Sequence, residues 1–304
     1  GTRLWSNSKK HQAKQFIDFG GWTLLGKTLE RIKGSLFDAP IISTNSKYLK
    51  EIKKHLKKYK IKQYKIVLEP AKKNTGPAIL STALLKDIPD KQPMIFLTAD
   101  HLIDKIHKFN SEIKKNEKHL TDKNIFIFGI KPTTPSDQFG YLITKKIKKN
   151  KKYLTDKNIF IFGIKPNIPS DQFGYFITKK VKKKLNKVTR FIEKPKHFNA
   201  KKIIKKGGYW NSGMFFLRKD SIINNFKKYQ KNIYRNTLIA VKKSTFKNNI
   251  YYLSKSAFFK NSSKSFDYAI LEKTKDINAI KLNIPWSDLG SWKEILLMYY
   301  KNKA

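Results

Sequence analysis

Short apolar runs alternate with segments of helical periodicity in the first hundred residues. Three of these runs are compact, end in polar residues and are typical of buried strands: residues 41–44, 65–68 and 94–98. Between the first two, apolar positions recur at spacings of three, four and three, which indicates one face of a helix: Leu49, Ile52, Leu56 and Tyr59. We predict that Ser46 caps this helix and that another helix begins near Pro77.

Alternating strands and helices predict parallel pairing with right-handed crossovers, and hence an α/β fold with a doubly wound, mixed and mainly parallel sheet. Ligands of such sheets bind beyond the carboxyl ends of the strands, so the segments after Leu68 and Thr98 are the first candidates for a site.

The second half is less regular. Its predicted strands cover residues 191–193 and 214–217, and its predicted helices cover residues 197–206, 221–229 and 266–273. Ser291 followed by Glu294 forms a capping box for a last helix.

One segment occurs twice. Residues 120–150 recur at residues 154–184 with five mismatches. A single sheet has one position for this strand pair, so we expect one copy to be extruded as a surface hairpin or a disordered loop. The repeat divides the chain into a first half (residues 1–119), the duplication (residues 120–184) and a second half (residues 185–304).

The net charge of +44, from 66 Lys+Arg against 22 Asp+Glu, raises the question of a polyanionic partner. A hydrophobic fraction of 39% favours a folded chain over a disordered one. The cations are 61 lysines and five arginines, whereas base and phosphate recognition favours arginine, so we do not expect a nucleic-acid partner.

The absence of cysteine excludes disulfides and thiol nucleophiles. No apolar run has the length of a membrane span, and we expect a soluble, cytoplasmic protein with no membrane partner.

Polar residues stand where the predicted strands end. Asp100 follows the strand of residues 94–98, where a carboxylate is well placed to hold Mg²⁺ through oxygen ligands. Asn74 and Thr75 lie in a loop that enters a helix; such a loop can hydrogen-bond a base or ribose, or serve only as a turn and cap. His101 is interpreted as a structural hydrogen-bonding residue.

Taken together and in order, several motifs resemble the sugar-phosphate nucleotidyltransferases, and most closely the mannose-1-phosphate guanylyltransferase family. The motifs that carry this resemblance are GTRLW, KQF, EP with NTGPAI, TADH, FGY, FIEKP, WNSGMFF, SFDYAILEKT and PWSDLGSW. The resemblance implies that a phosphate oxygen of mannose 1-phosphate attacks the α-phosphorus of GTP in line, giving GDP-mannose and pyrophosphate. Such a reaction requires no covalent nucleophile, and catalysis rests on positioning and charge neutralisation.

The resemblance also implies roles for individual residues. The residues implied to bind the nucleotide are Gly1, Thr2 and Arg3 at the triphosphate, with Glu69, Asn74 and Thr75 nearby. The residues implied to bind the sugar are Gly174, Tyr175, Glu193, Asn211 and Asp267. The residues implied to act in catalysis are Arg3, Lys14, Asp100, Lys194 and Asp288; among them, Asp100 and Asp288 bind Mg²⁺ together. We favour the downstream repeat copy, with Tyr175 rather than Tyr141, as the one at the sugar site.

Relative to the family, the sequence lacks the hydrophobic strand that leads into the GTRLW loop. We therefore expect a fragment of a longer chain in which two neighbouring strand edges are unpaired, and which is inactive or poorly folded unless that strand is restored. No isomerase activity is expected, and homo-oligomerisation is left open. The alternatives are the same chemistry with another sugar phosphate or nucleotide, an inactive remnant of the family, and an RNA-binding protein.

Overall fold

The fold of this chain combines β-sheets with packed helices in a computed structural model. The structure describes residues 13–103, 105–122, 125–130, 140–147, 163–164, 175–177, 185–193, 199, 203, 208–282, 284–287 and 289. The strands are β1 (Ile41–Asn45), β2 (Lys65–Glu69), β3 (Pro93–Phe96), β4 (Leu102–Ile103), β5 (Ile125–Ile130), β6 (Gly140–Ile147), β7 (Gly163–Ile164), β8 (Tyr175–Ile177), β9 (Leu185–Ile192), β10 (Gly208–Asn211), β11 (Phe215–Arg218), β12 (Thr245–Lys247), β13 (Ile250–Tyr252), β14 (Ile277–Leu282) and β15 (Trp286–Ser287).

The α-helices are α1 (Leu24–Arg31), α2 (Leu49–Lys58), α3 (Thr75–Ala83), α4 (Ile106–Glu117), α5 (Lys219–Tyr229), α6 (Lys231–Lys242) and α7 (Lys255–Phe258). A π-helix covers Asp267–Leu271, and short 3₁₀ turns cover Lys14–Phe16 and Ser46–Tyr48. None of the helices in the described part of the chain has the length and apolar character needed to cross a bilayer.

Two larger sheets and one strand pair make up the described β-structure, and the predicted α/β fold with mixed pairing is confirmed. The smaller sheet has the order β1-β2-β13-β12, with β1, β2 and β13 parallel and β12 closing a hairpin. The larger sheet has the order β3-β11-β5-β14-β9-β6-β10-β7, with β8 beside β9 and β10. In it β14 and β5 are parallel and the other described pairs are antiparallel. β4 and β15 form a separate antiparallel pair.

Helices cover both faces of the smaller sheet, as a doubly wound arrangement requires. On one face, α1 and α2 pack their apolar side chains around Ile66 and Leu68, with Ile42 against the same cluster. On the other face, a second cluster centres on Val67, and Ile41 packs against it. Successive strand residues thus point to opposite, equally apolar layers, which is why these strands read as continuous apolar runs rather than alternating ones.

Most predicted elements of the first half are present, with small differences at their ends. The helix predicted from its spacing is α2, and Ile52 and Leu56 are buried on its inner face. The predicted cap is wrong: Ser46 lies inside a 3₁₀ turn, and the side chain of Asn45 accepts the hydrogen bond from the Lys47 N–H instead. Both residue types cap helices well, so composition alone does not distinguish them.

In the second half, two strands and one helix agree with the prediction within a few residues. β9 begins six residues before the predicted strand at residue 191, and β11 is shifted by one residue from the predicted 214–217. α5 contains the predicted helix, and the helix predicted at residues 266–273 is partly a π-helix. The capping box at Ser291 lies outside the described residues, as does most of the helix predicted at residues 197–206.

Both copies of the repeat contribute strands. β5 and β6 come from the upstream copy, and β7 and β8 come from the corresponding part of the downstream copy. The backbones of Tyr141 and Tyr175, which occupy equivalent positions, are both registered with Ile192 and Trp210. Only short parts of the downstream copy are described, so the extrusion of one copy, like the division into two halves, stays a prediction.

The start of α3, in the first half, is joined to the second half by two hydrogen bonds. The Thr75 hydroxyl accepts one from the Phe266 N–H at 2.9 Å, and the Gly76 N–H donates one to the Lys264 carbonyl at 3.0 Å. A Cβ atom on Gly76 would lie 2.6 Å from that carbonyl oxygen, which explains why glycine occupies the position. The segment before the π-helix is therefore tied to the start of α3.

We predict that Thr75→Val lowers the free energy of unfolding by about 1–3 kcal/mol, because the Phe266 N–H loses its acceptor. Chemical denaturation measures this change. The matched control is Thr75→Ser, which keeps the hydroxyl and should lose less than half as much. Equal losses in the two variants would show that the hydroxyl contributes nothing.

Candidate active site

The candidate site lies where β3 ends and β11 begins. These strands are antiparallel with Phe96 opposite Phe215, so the chain that leaves β3 and the turn that enters β11 meet at one edge of the sheet. Gly213, in that turn, has a φ of +69°, and a Cβ atom on it would lie 3.8 Å from Thr98 Cγ2. The sheet register thus brings together two predicted site segments that are more than a hundred residues apart in sequence.

Lys14 and Asp100 form an ion pair at this edge. Lys14 Nζ lies 3.6 Å from Asp100 Oδ2; the lysine side chain is 8% exposed and the carboxylate 39%. Lys14 stands in the 3₁₀ turn Lys14–Phe16, which is anchored by Phe16, a buried ring that packs against Tyr48 and His55. The structure therefore brings together two of the predicted catalytic residues, a buried cation and a partly exposed carboxylate.

The ionisation of Asp100 follows from these neighbours. Burial disfavours the charged carboxylate, but interactions with His101 and Lys14 outweigh it and hold the pKa of Asp100 below its ordinary value. Asp100 is consequently an anion at neutral pH. It is available as an oxygen ligand for a divalent cation.

His101 holds this carboxylate segment in place. Its Nδ1 atom accepts a hydrogen bond from the Trp286 indole N–H at 3.3 Å, and the two rings meet edge to face. Since the indole N–H can only donate, Nδ1 acts as the acceptor and a ring proton lies on Nε2, which is 3.7 Å from Asp100 Oδ1. The fully buried Arg31 donates to the His101 carbonyl oxygen at 3.2 Å. The interpretation of His101 as a structural residue agrees with these contacts.

The pair β4–β15 brings a distant segment to the same place. Trp286 is opposite Ile103, and Ser287 is opposite Leu102. Asp288, the second predicted metal ligand, lies outside the described residues but follows Ser287 directly in the chain. Within the described part of the chain, no group of three or more His, Asp or Glu side chains is arranged to hold a metal. A Mg²⁺ ion held by one or two carboxylates, phosphates and water fits such a sparse donor set.

The predicted nucleotide residues form hydrogen bonds of their own. Glu69 accepts one from the Ser43 hydroxyl at 2.7 Å. The hydrogen bond favours the charged carboxylate, but burial has the larger effect and raises the pKa of the Glu69 carboxyl group. Asn74 has a φ of +68°, and its side chain caps α3 by accepting from the Thr75 N–H at 3.0 Å. Of the two interpretations left open from sequence, the turn and cap is observed, and nucleotide contact stays a prediction.

Two predicted sugar residues are in direct contact. Asn211 Nδ2 donates to Asp267 Oδ1 at 2.7 Å, and Asn211 Oδ1 accepts from the Gly213 N–H at 3.1 Å. Tyr268 stands next to this pair and is 44% exposed. Burial and the charges of Glu193, Glu272 and Asp267 raise its pKa, so Glu193 belongs to the same group.

Several predicted site residues lie outside the described residues: Gly1, Thr2, Arg3, Gly174, Lys194 and Asp288. Tyr175 is described by its backbone in β8. The sequence analysis missed Arg31, Trp286 and Tyr268 as site residues. Trp286 and Tyr268 stand inside quoted motifs, whereas nothing near Arg31 in the sequence indicates that it contacts residue 101.

A family model for nucleotidyl transferases matches this chain twice, over residues 1–154 and 142–303. The two matches overlap in the region of the tandem repeat. Together they span nearly the whole chain. The family assigned from the motifs agrees with this result.

Curated relatives match over almost the full chain. Alginate biosynthesis protein AlgA of Pseudomonas fluorescens is 28% identical over 298 residues, which cover 97% of this chain and 55% of the relative. Mannose-1-phosphate guanylyltransferase of Klebsiella pneumoniae is 28% identical over 298 residues, covering 97% of this chain and 57% of the relative. The chain thus spans little more than half the length of these relatives.

Solved structures share the fold. Mannose-6-phosphate isomerase from Helicobacter pylori superposes with a TM-score of 0.70 at 25% identity, covering 90% of this chain and 95% of that one. Mannose-1-phosphate geranyltransferase from Thermus thermophilus also gives 0.70, at 19% identity, covering 98% of this chain and 75% of that one. At 19% identity, the similarity to the Thermus thermophilus structure shows a shared fold only.

We predict that Lys14→Met raises the pKa of Asp100, because the variant loses the cation that favours the carboxylate. A depressed pKa stabilises the fold above the unfolded value of about 3.9, and this stabilisation is lost as pH falls through the folded pKa. In the variant this stabilisation should therefore be smaller, and its loss should be complete at a higher pH. Carbon-13 NMR titration of the Asp100 carboxyl measures the shift. Lys27→Met, which removes a surface partner of Glu30, is the control and should leave Asp100 unchanged. An unchanged Asp100 pKa in Lys14→Met would contradict the assignment.

Proposed function

Because the chain belongs to the nucleotidyl transferase family, as its motifs predict, we propose that it transfers GMP from GTP to mannose 1-phosphate, giving GDP-mannose and pyrophosphate. The observation that carries the proposal is the Lys14–Asp100 pair at the carboxyl end of β3. A cation and a carboxylate at that edge suit a phosphate chain and a divalent metal ion. The choice of guanine and mannose is supported by relatives named for that reaction.

The strand pair β4–β15 supports the two-carboxylate metal site. Asp100 lies two residues before the start of β4, Asp288 follows β15 directly, and the two strands are antiparallel. In an antiparallel pair, the start of one strand lies beside the end of the other. The start of β4 and the end of β15 are therefore neighbours, and the pairing favours a shared ion. Mg²⁺ held by Asp100 and Asp288 would screen the triphosphate and make the α-phosphorus more electrophilic.

The reaction then proceeds as a direct displacement. A phosphate oxygen of mannose 1-phosphate forms the new bond to the α-phosphorus, the bond from that phosphorus to the oxygen bridging to the β-phosphate breaks, and pyrophosphate leaves with that oxygen. Lys14 would neutralise charge that develops around the α-phosphate, with Arg3 on the triphosphate and Lys194 on the sugar phosphate. No residue forms a covalent bond to the nucleotide.

The sugar would occupy the space beside Asn211 and Asp267. Their mutual hydrogen bond leaves further acceptor capacity on the carboxylate, and Glu193 adds a second carboxylate nearby. Carboxylates and amides that converge in this way suit the hydroxyl groups of a hexose, each of which donates and accepts. The first half would thus bind the nucleotide and the second half the sugar.

We predict that the full-length protein releases pyrophosphate from GTP and mannose 1-phosphate in a Mg²⁺-dependent manner, and that Asp100→Asn lowers kcat by about 10²–10³-fold. Glu30→Gln, a surface carboxylate paired with Lys27, is the control and should keep full activity. The assay is repeated with ATP, UTP and glucose 1-phosphate to identify the base and the sugar.

Three outcomes would contradict this proposal. Activity only with another nucleotide or sugar phosphate would support nucleotidyl transfer but contradict the assignment of GTP and mannose 1-phosphate as the substrates. Absence of activity in a folded sample that still binds GTP would indicate a remnant of the family. Tight RNA binding that falls steeply with salt, without GTP selectivity, would favour the polycation alternative.

We further predict that Tyr175→Phe raises the KM for mannose 1-phosphate more than Tyr141→Phe, since Tyr175 is the copy assigned to the sugar site. The two residues share one backbone register, so each variant is the matched control for the other. Steady-state kinetics at saturating GTP measures the difference. A larger effect at Tyr141 would reverse the assignment.

A further inference from the structure

The π-helix at Asp267–Leu271 brings two carboxylates toward one face. The Glu272 N–H donates a hydrogen bond to the Asp267 carbonyl oxygen at 3.0 Å, and the two residues are five positions apart. In an α-helix, residues at this separation differ by about 140° around the axis, because one turn takes 3.6 residues. The wider turn of a π-helix reduces that angle, so the side chains of Asp267 and Glu272 lie closer to one face than an α-helix would allow.

The side chain of Gln230 supports this irregular helix from outside. Its Nε2 atom donates a buried hydrogen bond to the Ala269 carbonyl oxygen at 2.9 Å. In an α-helix that carbonyl would accept from the N–H of Lys273, which here donates to the Ile270 carbonyl oxygen at 2.9 Å. A buried amide thus satisfies a carbonyl group that the irregular turn displaces. π-helices are rare and occur frequently at functional sites, so a role for this one in the sugar site deserves a test.

The carboxylate of Glu272 contacts the chain that leaves β9. It accepts a hydrogen bond from the backbone N–H of Glu193. The described pairing of β9 with β6 and β8 ends at Ile192, so Glu193 is the first residue beyond it, and Glu272 supplies the acceptor that the sheet no longer provides. Burial and the charges of Glu193, Glu272 and Asp267 raise the pKa of Tyr268, which agrees with three carboxylates around one ring.

We propose that Glu272 is a positioning residue for Glu193 in the sugar-phosphate site. Glu272 holds the backbone of Glu193, while Asp267, at the other end of the same π-helix, accepts from Asn211 Nδ2 at 2.7 Å. One irregular helical turn thereby fixes residues that belong to two different strand segments. The proposal rests on the proposed function in one respect, which is that Glu193 and Asn211 are assigned to the sugar. A sugar phosphate that binds to an untethered Glu193 must also order that residue, so its affinity falls.

The exposure of Glu272 separates this role from a purely structural one. Glu272 is exposed to solvent, and substitutions at exposed positions change the stability of a fold little. Loss of its carboxylate should therefore appear in the affinity for the sugar phosphate and in the backbone of Glu193, and hardly in the thermal unfolding midpoint. The nucleotide residues form their contacts elsewhere, so the affinity for GTP should not change.

The test compares Glu272→Ala with Glu272→Gln in the full-length protein, without turnover. Glu272→Ala should raise the Kd for mannose 1-phosphate about five- to tenfold and speed amide exchange of the Glu193 N–H by a similar factor. Glu272→Gln keeps an acceptor oxygen and should stay within about twofold of the unmodified protein in both. Calorimetry measures the Kd values for mannose 1-phosphate and GTP, and NMR measures the exchange. Glu30→Ala, which removes a carboxylate of α1, is the matched control and should change neither.

Several results would overturn the proposal. An equal loss of sugar-phosphate affinity in Glu272→Gln would show that the charge matters rather than the hydrogen bond. Unchanged exchange of the Glu193 N–H in Glu272→Ala would show that Glu272 does not hold this residue. Parallel losses of affinity for mannose 1-phosphate and GTP, with a lower unfolding midpoint, would indicate a structural role. If the unmodified protein binds no mannose 1-phosphate, the proposed function fails, whereas exchange at Glu193 still decides whether Glu272 holds it.

Discussion

The candidate site depends on the antiparallel register of β3 and β11. This pairing is one of several that join the first half of the chain to the second, and it sets the segment after Phe96 beside the turn before Phe215. Asp100, with its partner Lys14, follows β3 in the chain, and Asn211, with its partner Asp267, precedes β11. Phe215, Phe216 and Leu217 are all buried, so both faces of β11 are packed. A shift by one residue would place side chains of the wrong size and shape in both layers, and core packing thus fixes the register on which the site depends.

Local pairing, rather than the overall charge, sets the electrostatics at this edge. In a chain with 66 cations and 22 anions, Asp100 lies against the buried Lys14 and is favoured as an anion. Glu69 is also partly buried, but its described hydrogen-bond partner is the neutral hydroxyl of Ser43, and the pKa of its carboxyl group is raised. The two carboxyls differ because a neighbouring cation compensates desolvation more strongly than a neutral donor does. Asp100 is therefore the better metal ligand.

The sequence predicts those features whose causes are local. The compact runs that became β1 and β2 and the spaced apolar face of α2 are recognisable because burial on a sheet or helix imposes a period. Features that depend on distant partners escaped prediction. The two-residue strands β4 and β15 have no pattern of their own, and Thr75 could not be assigned to Phe266 because 191 residues separate them. The motifs led to candidate residues at strand ends, but gave no indication of the hydrogen bonds that Arg31 and Trp286 donate to residue 101.

The hydrogen bonds of Thr75 and Gly76 also bear on how the two substrates would communicate. On the proposed function, the nucleotide is bound by the loop that leads into these first residues of α3, and the sugar is bound at the π-helix that begins at Asp267. The bonds to Lys264 and Phe266 connect these two elements without passing through the sheet. A ligand that orders the loop must therefore also restrict the segment that presents Asp267 to Asn211, and the entropy lost when the first substrate binds need not be lost again with the second. Binding of the nucleotide would thus favour binding of the sugar phosphate, a coupling that follows from two hydrogen bonds and requires no movement of the halves.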